Sequence, residues 1–361
     1  MKKKSYLHLW TIITPLIAWA GYLCLSFFDH YLYSLFLSAI LICCVLAAVH
    51  HAEVIAFRVG EPFGTLILAL AITIIEVALI VSLMLTGGQL ETMTLARDTV
   101  LAAVMIILTG IIGVCILVGA SKYKEQVFEL QGVSVALVTL TAILVFSLIL
   151  PNYTTSMKGP VYNTLQLGFI ATLCLILYVT FILVQAIRHR PFFLAPETTA
   201  TEDILPAKPS TKVTVISILL LLLCLSIVVL LAKSLAPQIE HTVIKIGAPK
   251  SLVGVNIAAI VLLPEGLAAY RAALKNRLQT SLNLALGSAL ASIGLTIPAV
   301  ALASIITSMP IILGIDMKAM VLLLLAQFTI VISLATGRTN ILQGIVLLAI
   351  FFLYIFIILV P

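Results

Sequence analysis

The sequence has few charged residues. Asp, Glu, Lys and Arg make up 9% of its 361 positions, whereas 62% are hydrophobic and the mean hydropathy is +1.25. Soluble domains carry about 25% charged residues, so this composition excludes a soluble globular protein. Strands of about ten alternating residues are absent, which excludes a membrane-spanning barrel. We therefore predict an all-α, polytopic membrane protein, because a helix satisfies its own backbone hydrogen bonds in lipid.

Other missing features exclude further classes. The six cysteines lie in apolar runs without metal-type spacing, and we interpret them as packing residues. Neither an H-E-x-x-H motif nor a protease-type pairing occurs, and a P-loop and a large soluble domain are lacking, which argues against an intramembrane enzyme and a primary pump. The net charge is +6, and the Lys and Arg residues that produce it lie in short loops. This distribution indicates membrane topology rather than a nucleic-acid partner.

The apolar segments predict eleven transmembrane helices, because one crossing needs about 20 residues. The predicted spans are 10–28, 32–50, 62–86, 99–120, 131–150, 162–187, 213–233, 248–270, 280–307, 315–335 and 340–360. With a cytoplasmic N-terminus, the inside segments hold 14 Lys and Arg residues and the outside loops hold 6. The positive-inside rule therefore predicts a cytoplasmic N-terminus and a C-terminus outside.

One polar segment interrupts this pattern. Residues 188–212, RHRPFFLAPETTATEDILPAKPSTK, are rich in Pro, Thr and charge and are predicted to be a cytoplasmic linker. The linker leaves an N-terminal helix at 1–31 and two groups of five helices, at 32–187 and 213–361. Because five is odd, two tandem groups must have opposite orientations. Inverted repeats of this kind place transport sites near the bilayer midplane, where the repeats meet.

A short motif recurs in the two groups. Glu53 and Glu240 each begin an E-x6-G-x-P pattern, and each pattern is followed by an apolar helix with a Glu inside it, Glu76 and Glu265. Of the fourteen acidic residues, only these last two lie well inside predicted spans. Pro264 precedes Glu265, and we expect it to interrupt the helix and free backbone carbonyls as cation ligands.

Two carboxylates inside the bilayer need a chemical explanation. Inserting one charged side chain at the centre of a membrane helix costs about 2.5–3.5 kcal/mol. No Lys or Arg lies deep enough in a predicted span to be an obvious ion-pair partner for either Glu. One explanation is a protonated Glu hydrogen-bonded between helices. The other is a mobile counter-charge: if a cation and protons compete for Glu76 and Glu265, the result is cation/proton antiport by alternating access. Ca²⁺, which prefers six to eight oxygen ligands, suits such a pair.

The same segments resemble a known family. Four stretches carry the likeness: HAEVIAFRVGEPFGTLILALAITIIE (51–76), GASKYKEQVFE (119–129), LLPEGLAAYRAALKNRLQTSLNLALGSALASIGLTIP (262–298) and GRTNILQG (337–344). They resemble the cation/proton exchanger (CAX) branch of the Ca²⁺/cation antiporter superfamily, and most closely its bacterial ChaA-type members. The resemblance implies an antiporter of the bacterial inner membrane that exports Ca²⁺ and/or Na⁺ or K⁺ in exchange for H⁺. It also implies that Glu76 and Glu265 bind both the cation and the protons, without a resident cofactor.

The sequence departs from the family around both Glu residues. In both halves this sequence lacks the Asn of the family pattern G-N-A-x-E. In the second half, Gly266 and Ala291 stand where the family has a His and a Gln. The remaining candidate ligands are Ser288 and, more weakly, Thr73, Ser292 and Asn283. This thinner set of oxygens predicts weaker Ca²⁺ binding, more water in the site, or use of Na⁺ or K⁺. A monovalent-only Na⁺(K⁺)/H⁺ antiporter and a cation channel are the alternatives.

The remaining candidates concern proton access. His50 and Glu53 lie near the cytoplasmic end of the second span, and Glu240 is the repeat counterpart of Glu53. They are interpreted either as interfacial caps or as groups that deliver protons, since His titrates near neutral pH. The predicted partners are inorganic cations, protons and the lipid bilayer, with no nucleic acid, and formation of a homo-oligomer is left open.

Overall fold

The computed structural model describes residues 7–24, 31–60, 70–71, 73–74, 76–78, 80–81, 93–194, 209–245 and 251–360. The main helices are α1 (Leu9–Leu23), α2 (Tyr31–Val59), α3 (Leu95–Tyr123), α4 (Leu130–Tyr153), α5 (Thr164–Arg188), α6 (Thr211–Lys245), α7 (Ser251–Leu274), α8 (Leu278–Thr307), α9 (Met317–Leu334) and α10 (Ile341–Leu359). Two short strands, β1 (Gln126–Val127) and β2 (Arg338–Thr339), complete the set. The described positions between 70 and 81 are also helical, and we call them the Glu76 segment.

The helices have the length and composition of membrane spans. Eight described helices can cross a bilayer, and α7 is a ninth if its two bent halves form one span. The chain is therefore a multi-pass membrane protein. Helix α1 is apolar but has only 15 residues, and most of the predicted span at 62–86 lies outside the described residues. The total of eleven spans stays a prediction.

The helices form two compact units. Helices α1, α2 and α6 and the Glu76 segment form the first unit, whereas α3, α4, α5, α7, α8, α9 and α10 form the second. In the first unit, α2 packs along α6 and α1 packs against both. Arg58, in the last turn of α2, donates hydrogen bonds to the Pro209 carbonyl and the Thr211 hydroxyl, both at 3.2 Å. Arg58 therefore ties the end of α2 to the start of α6.

In the second unit, α3 is the central helix. In the most apolar 18-residue stretch of α3, 83% of the residues are buried, compared with 22% in that of α10. Helices α7, α8 and α10 pack against α3. The two strands pair antiparallel, Gln126 with Thr339 and Val127 with Arg338, and so connect the end of α3 to the start of α10.

Three spans of this unit contain π-helical turns. They lie at Ile106–Ile111 in α3, Val145–Ile149 in α4 and Val184–Arg188 in α5. A π turn inserts an extra residue into the helix and is frequent at functional sites. The turn in α3 lies at the level where α7 bends, which is described below.

The last helices of the two predicted repeats begin in the same way. Asn163 caps α5 and Asn340 caps α10, and in both the Gln three positions later completes a capping box. The sequences are NTLQ and NILQ. This shared start adds a second sequence match between the halves, independent of the E-x6-G-x-P motif.

The predicted span at 32–50 is too short, and the one at 213–233, which agrees with the span Thr211–Leu231, lies within a longer helix. Helix α2 continues nine residues past the predicted end at 50, and α6 continues from the predicted end at 233 to Lys245. Helix α6 has 35 residues, or about 52 Å of helix, compared with a hydrocarbon thickness of about 30 Å. The predictions ended at charged residues, but Lys, Gln and Glu are good helix formers and continue the helix. The predicted linker is described only at 188–194 and 209–212, and it overlaps the ends of α5 and α6.

Candidate functional site

Glu265 lies at a bend in a membrane span. The axes of Gly254–Leu263 and Glu265–Leu274 differ by 51°. Pro264 explains the bend, because it has no N–H to bond the carbonyl of Ile260. The sequence predicted that Pro264 interrupts the helix. In the structure the helix runs from Ser251 to Leu274 without a break, but its axis bends immediately before Glu265.

Ser288 of α8 is the defined partner of Glu265. Its hydroxyl donates a hydrogen bond to a carboxylate oxygen of Glu265. Both side chains are buried, with 6% and 8% of their surface exposed. Ser292, one turn further along α8, is also buried. The strongest predicted pair of ligands in the second half is thus brought together by α7 and α8.

Two further helices approach this pair. Gly266 faces the π turn of α3, where an added Cβ would lie 3.2 Å from Ile111 Cδ1. Gly294 of α8 faces α5, where an added Cβ would lie 2.8 Å from Cβ of Tyr178. These close approaches place the bent part of α7 against α3 and hold α5 against α8.

Tyr178 is a site residue that the sequence analysis missed. It is buried in α5, and its hydroxyl is within electrostatic range of the Glu265 carboxylate. A phenol inside an apolar span is a signal in the sequence, since buried Tyr hydroxyls usually have a polar partner. The sequence alone does not indicate that Tyr178 lies near Glu265.

Asn283 is held in a different set of contacts. Its amide oxygen accepts a hydrogen bond from Gln279 at 3.0 Å, and its amide nitrogen donates to the Phe193 carbonyl at 2.6 Å. Gln279 in turn accepts from the Glu129 N–H at 2.7 Å. Asn283 precedes Ser288 by five positions, which is about 140° around the helix. The structure therefore places Asn283 in a network that joins α8 to the ends of α4 and α5.

Glu76 lies in the first unit. Its side chain is 2% exposed and that of Thr73 is 3% exposed, whereas Leu70 and Ile74 are about half exposed. A spacing of three residues puts Thr73 and Glu76 on one face of a helix. Ile80 is fully buried and continues that face. A carboxylate and a hydroxyl are thus buried together here, as they are at Glu265 and Ser288.

The candidates for proton access occupy the long helices of the first unit. Glu53 is half-buried in α2, seven positions before Gly60. The ring of His50 lies 5.2 Å from that of His8 and 5.7 Å from that of His51. Glu240 lies on α6, and its side chain is outside the described part. These contacts join α1 to α2, and a role in proton delivery stays a prediction.

The described residues contain no cluster of three or more His, Cys, Asp or Glu side chains that could hold a metal ion.

A comparison with protein-family models identifies the chain. The model described as sodium/calcium exchanger protein matches residues 30–187 and 216–360. The chain belongs to this family. The exchanger is therefore a membrane transporter of inorganic cations and not an enzyme. The two matched segments fall on either side of the predicted linker.

Curated relatives agree with this assignment. The exchanger is 44% identical over 317 residues to a Sinorhizobium fredii (strain NBRC 101917 / NGR234) protein described as an ionic transporter, y4hA, with 88% of this chain and 86% of that protein covered. It is 33% identical over 311 residues to the sodium-potassium/proton antiporter ChaA of Escherichia coli (strain K12), with 86% and 84% covered. The resemblance to ChaA-type exchangers is thereby confirmed.

Solved structures share the fold. Native YfkE superposes with a TM-score of 0.72 at 18% identity and covers 98% of this chain and 99% of its own. The H⁺/Ca²⁺ exchanger CAX superposes with a TM-score of 0.71 at 15% identity and covers 96% and 88%. The all-α membrane fold predicted from the sequence is confirmed.

Proposed function

We propose that the exchanger is a secondary-active cation/proton antiporter that exports Ca²⁺ and/or Na⁺ or K⁺ in exchange for H⁺. One observation carries the proposal: the buried Glu265 carboxylate lies at the bend of a membrane span and receives a hydrogen bond from Ser288 of the neighbouring span. An ionisable group at such a position indicates an ion or proton pathway. The description of the Escherichia coli relative as a sodium-potassium/proton antiporter supports monovalent cations and protons as cargo.

The proposed mechanism is competition between a cation and protons for the same carboxylates. A bound cation favours ionised Glu265, and its other ligands would be the Ser288 hydroxyl and the Ile260 carbonyl released by Pro264. A proton favours the neutral carboxyl and displaces the cation. If only the occupied site reorients across the membrane, each outward cation is exchanged for inward protons. Glu76, with Thr73, would supply the second carboxylate.

The test is transport by purified protein in proteoliposomes that contain a pH-sensitive dye. Ca²⁺, Na⁺ and K⁺ are offered separately, from neutral to alkaline pH. We expect each transported cation to drive proton movement, and we expect Glu76→Gln and Glu265→Gln each to abolish it. Glu125→Gln is the matched control, because the Glu125 side chain is 61% exposed and pairs only loosely with Arg338, at 3.9 Å.

Normal exchange by either Gln variant would refute the paired-carboxylate mechanism. Cation flux without proton movement would instead support the channel alternative. Proton exchange with Na⁺ or K⁺ but not with Ca²⁺ would support a monovalent-only antiporter.

A further inference from the structure

A cavity of about 240 Å³ lies in the second unit, away from Glu265 and Ser288. It is lined by the first two turns of α3, the start of α9 and the last turns of α10. All three helices are membrane spans, so a cavity at their ends lies at the level of the lipid headgroups. Apolar side chains, including Leu101 and Leu322, line part of the wall.

The polar part of the wall is balanced in charge. It contains two cations, Arg97 and Lys318, and two anions, Asp98 and Asp316. Arg97 is fixed: its Nε donates to Asp98 at 2.8 Å, and one terminal nitrogen donates to the Gly314 carbonyl at 3.0 Å. The Arg97 and Asp98 side chains are about four-fifths buried. A single cation or a single anion would face two like charges here, whereas a zwitterion would not.

Several polar groups of the wall can form further hydrogen bonds. Lys318 makes no hydrogen bond or ion pair with any residue that the structure describes. Tyr354 is 4% exposed and close to Asp98, yet its hydroxyl makes no hydrogen bond within the described ranges. Asp316 uses one carboxylate oxygen to accept from the Ala319 N–H, at 2.9 Å. Its second oxygen is available to a donor.

We propose that this cavity binds the phosphoethanolamine headgroup of a membrane phospholipid. Lys318 and the second terminal nitrogen of Arg97 contact the phosphate, because charge-assisted bonds to phosphate are strong. The carboxylates of Asp98 and Asp316 accept from the primary ammonium. Ile357 and Ile358, on the α10 side of the cavity, contact the glycerol and the first methylenes of the acyl chains.

The polar groups of the wall predict how tightly different phospholipids bind relative to one another. Phosphatidylethanolamine offers an ammonium with N–H donors for the two carboxylates. Phosphatidylcholine has the same charges but no N–H donor. Phosphatidylglycerol has the phosphate but no cation, so the carboxylates would face an anionic ligand. We therefore expect phosphatidylethanolamine to bind most tightly.

Native mass spectrometry of the full chain in detergent tests this order. Equal concentrations of the three lipids are added, and the fraction of protein that retains each is compared. We expect retention of phosphatidylethanolamine to exceed that of phosphatidylcholine by about tenfold, the change expected for a hydrogen bond to a charged group. Equal retention of these two lipids would overturn the proposal.

Two variants locate the binding at this cavity. Asp316→Asn removes a charge but keeps the helix cap, because Asn caps helices as well as Asp does. We expect it to reduce the preference for phosphatidylethanolamine over phosphatidylcholine by at least about threefold. Lys318→Gln removes a phosphate contact that both lipids share, so we expect it to reduce the retention of both by at least about threefold. The midpoint of thermal unfolding should stay unchanged in both variants. Lys158→Gln, in an exposed loop, is the matched control and should retain the full preference.

A preference for phosphatidylethanolamine that survives Asp316→Asn, or lipid retention that survives Lys318→Gln, would place the lipid elsewhere and overturn the assignment. Soluble glycerophosphoethanolamine separates the lipid from the free headgroup. We expect it to displace the lipid only at concentrations more than about a hundredfold higher, since it lacks the acyl contacts. Displacement at equal concentration would overturn the lipid as the ligand. None of these measurements depends on cation exchange, so their outcome is separate from that of the proposed function.

Discussion

The carboxylate of Glu265 receives a hydrogen bond from the neutral hydroxyl of Ser288. Ser288 stabilises the ionised form without cancelling its charge. A fixed Arg or Lys in the place of Ser288 would neutralise the carboxylate and remove the reason for a cation to bind. At the residue scale, the hydroxyl of Ser288 therefore suits a carboxylate that alternates between a cation and protons.

Replacing Ser288 by Ala should weaken cation binding. The change removes one hydrogen bond to a charged group, which is worth about 1.5–3 kcal/mol, so half-saturation should need roughly 10 to 100 times more cation. The measurement is the cation concentration at half-maximal proton exchange in everted vesicles. Thr172→Ala is the control, because it also removes a helix hydroxyl, one that bonds only the Gly168 carbonyl of its own helix. Unchanged half-saturation in the Ser288→Ala variant would remove Ser288 from the site.

The contact between α3 and α10 depends on glycine. An added Cβ at Gly344 would lie 2.6 Å from the backbone nitrogen of Leu117 and 3.0 Å from the Gly113 carbonyl. Small residues permit such close backbone approach between membrane helices, where packing rather than hydrophobic burial drives association. At the element scale, Gly344 thus fixes how closely α10 packs on the central helix.

Two Gly→Ala substitutions near the starts of α10 and α5 should have opposite effects. Gly344→Ala should destabilise the protein by about 1–3 kcal/mol, because neighbouring backbone atoms cannot move away without disturbing α3. Gly168→Ala should be neutral or stabilise by up to about 1 kcal/mol, because its nearest neighbour would be one Ile305 methyl at 4.0 Å. Thermal unfolding in detergent measures both. A Gly344→Ala midpoint at or above that of Gly168→Ala would contradict the inferred contact.

The sequence predicted where most spans lie, because hydrophobic length is a property of each segment alone. It did not predict where the helices end or where they are irregular. The span predicted to end at Lys233 agrees with the span Thr211–Leu231, but helix α6 continues to Lys245. The π turn Ile106–Ile111 consists mostly of apolar residues, like its surroundings. The hydrogen bonds of Ser288 with Glu265 and of Asn283 with Phe193 join segments far apart in sequence, so no local pattern indicates them.

The arrangement of the whole chain combines both halves in each unit. Helices α2 and α6, which begin the two predicted repeats, belong to the first unit, and the capped helices α5 and α10, which end them, belong to the second. Neither half is thus a compact unit by itself. The halves share sequence motifs, but the motif counterparts Glu76 and Glu265 belong to different units.

The orientation of the chain can be tested on the two sides of α5. This helix is a span from Thr164 to Arg188, so Lys158 and Arg190, both exposed, must lie on opposite sides of the membrane. The 14-to-6 distribution of Lys and Arg predicts that Arg190 is cytoplasmic. A membrane-impermeant maleimide should therefore label Lys158→Cys in intact cells and Arg190→Cys only in everted vesicles. The parent chain, with its six native cysteines, gives the background. The reverse pattern would place the N-terminus outside, and labelling of both positions from one side would mean that α5 does not cross.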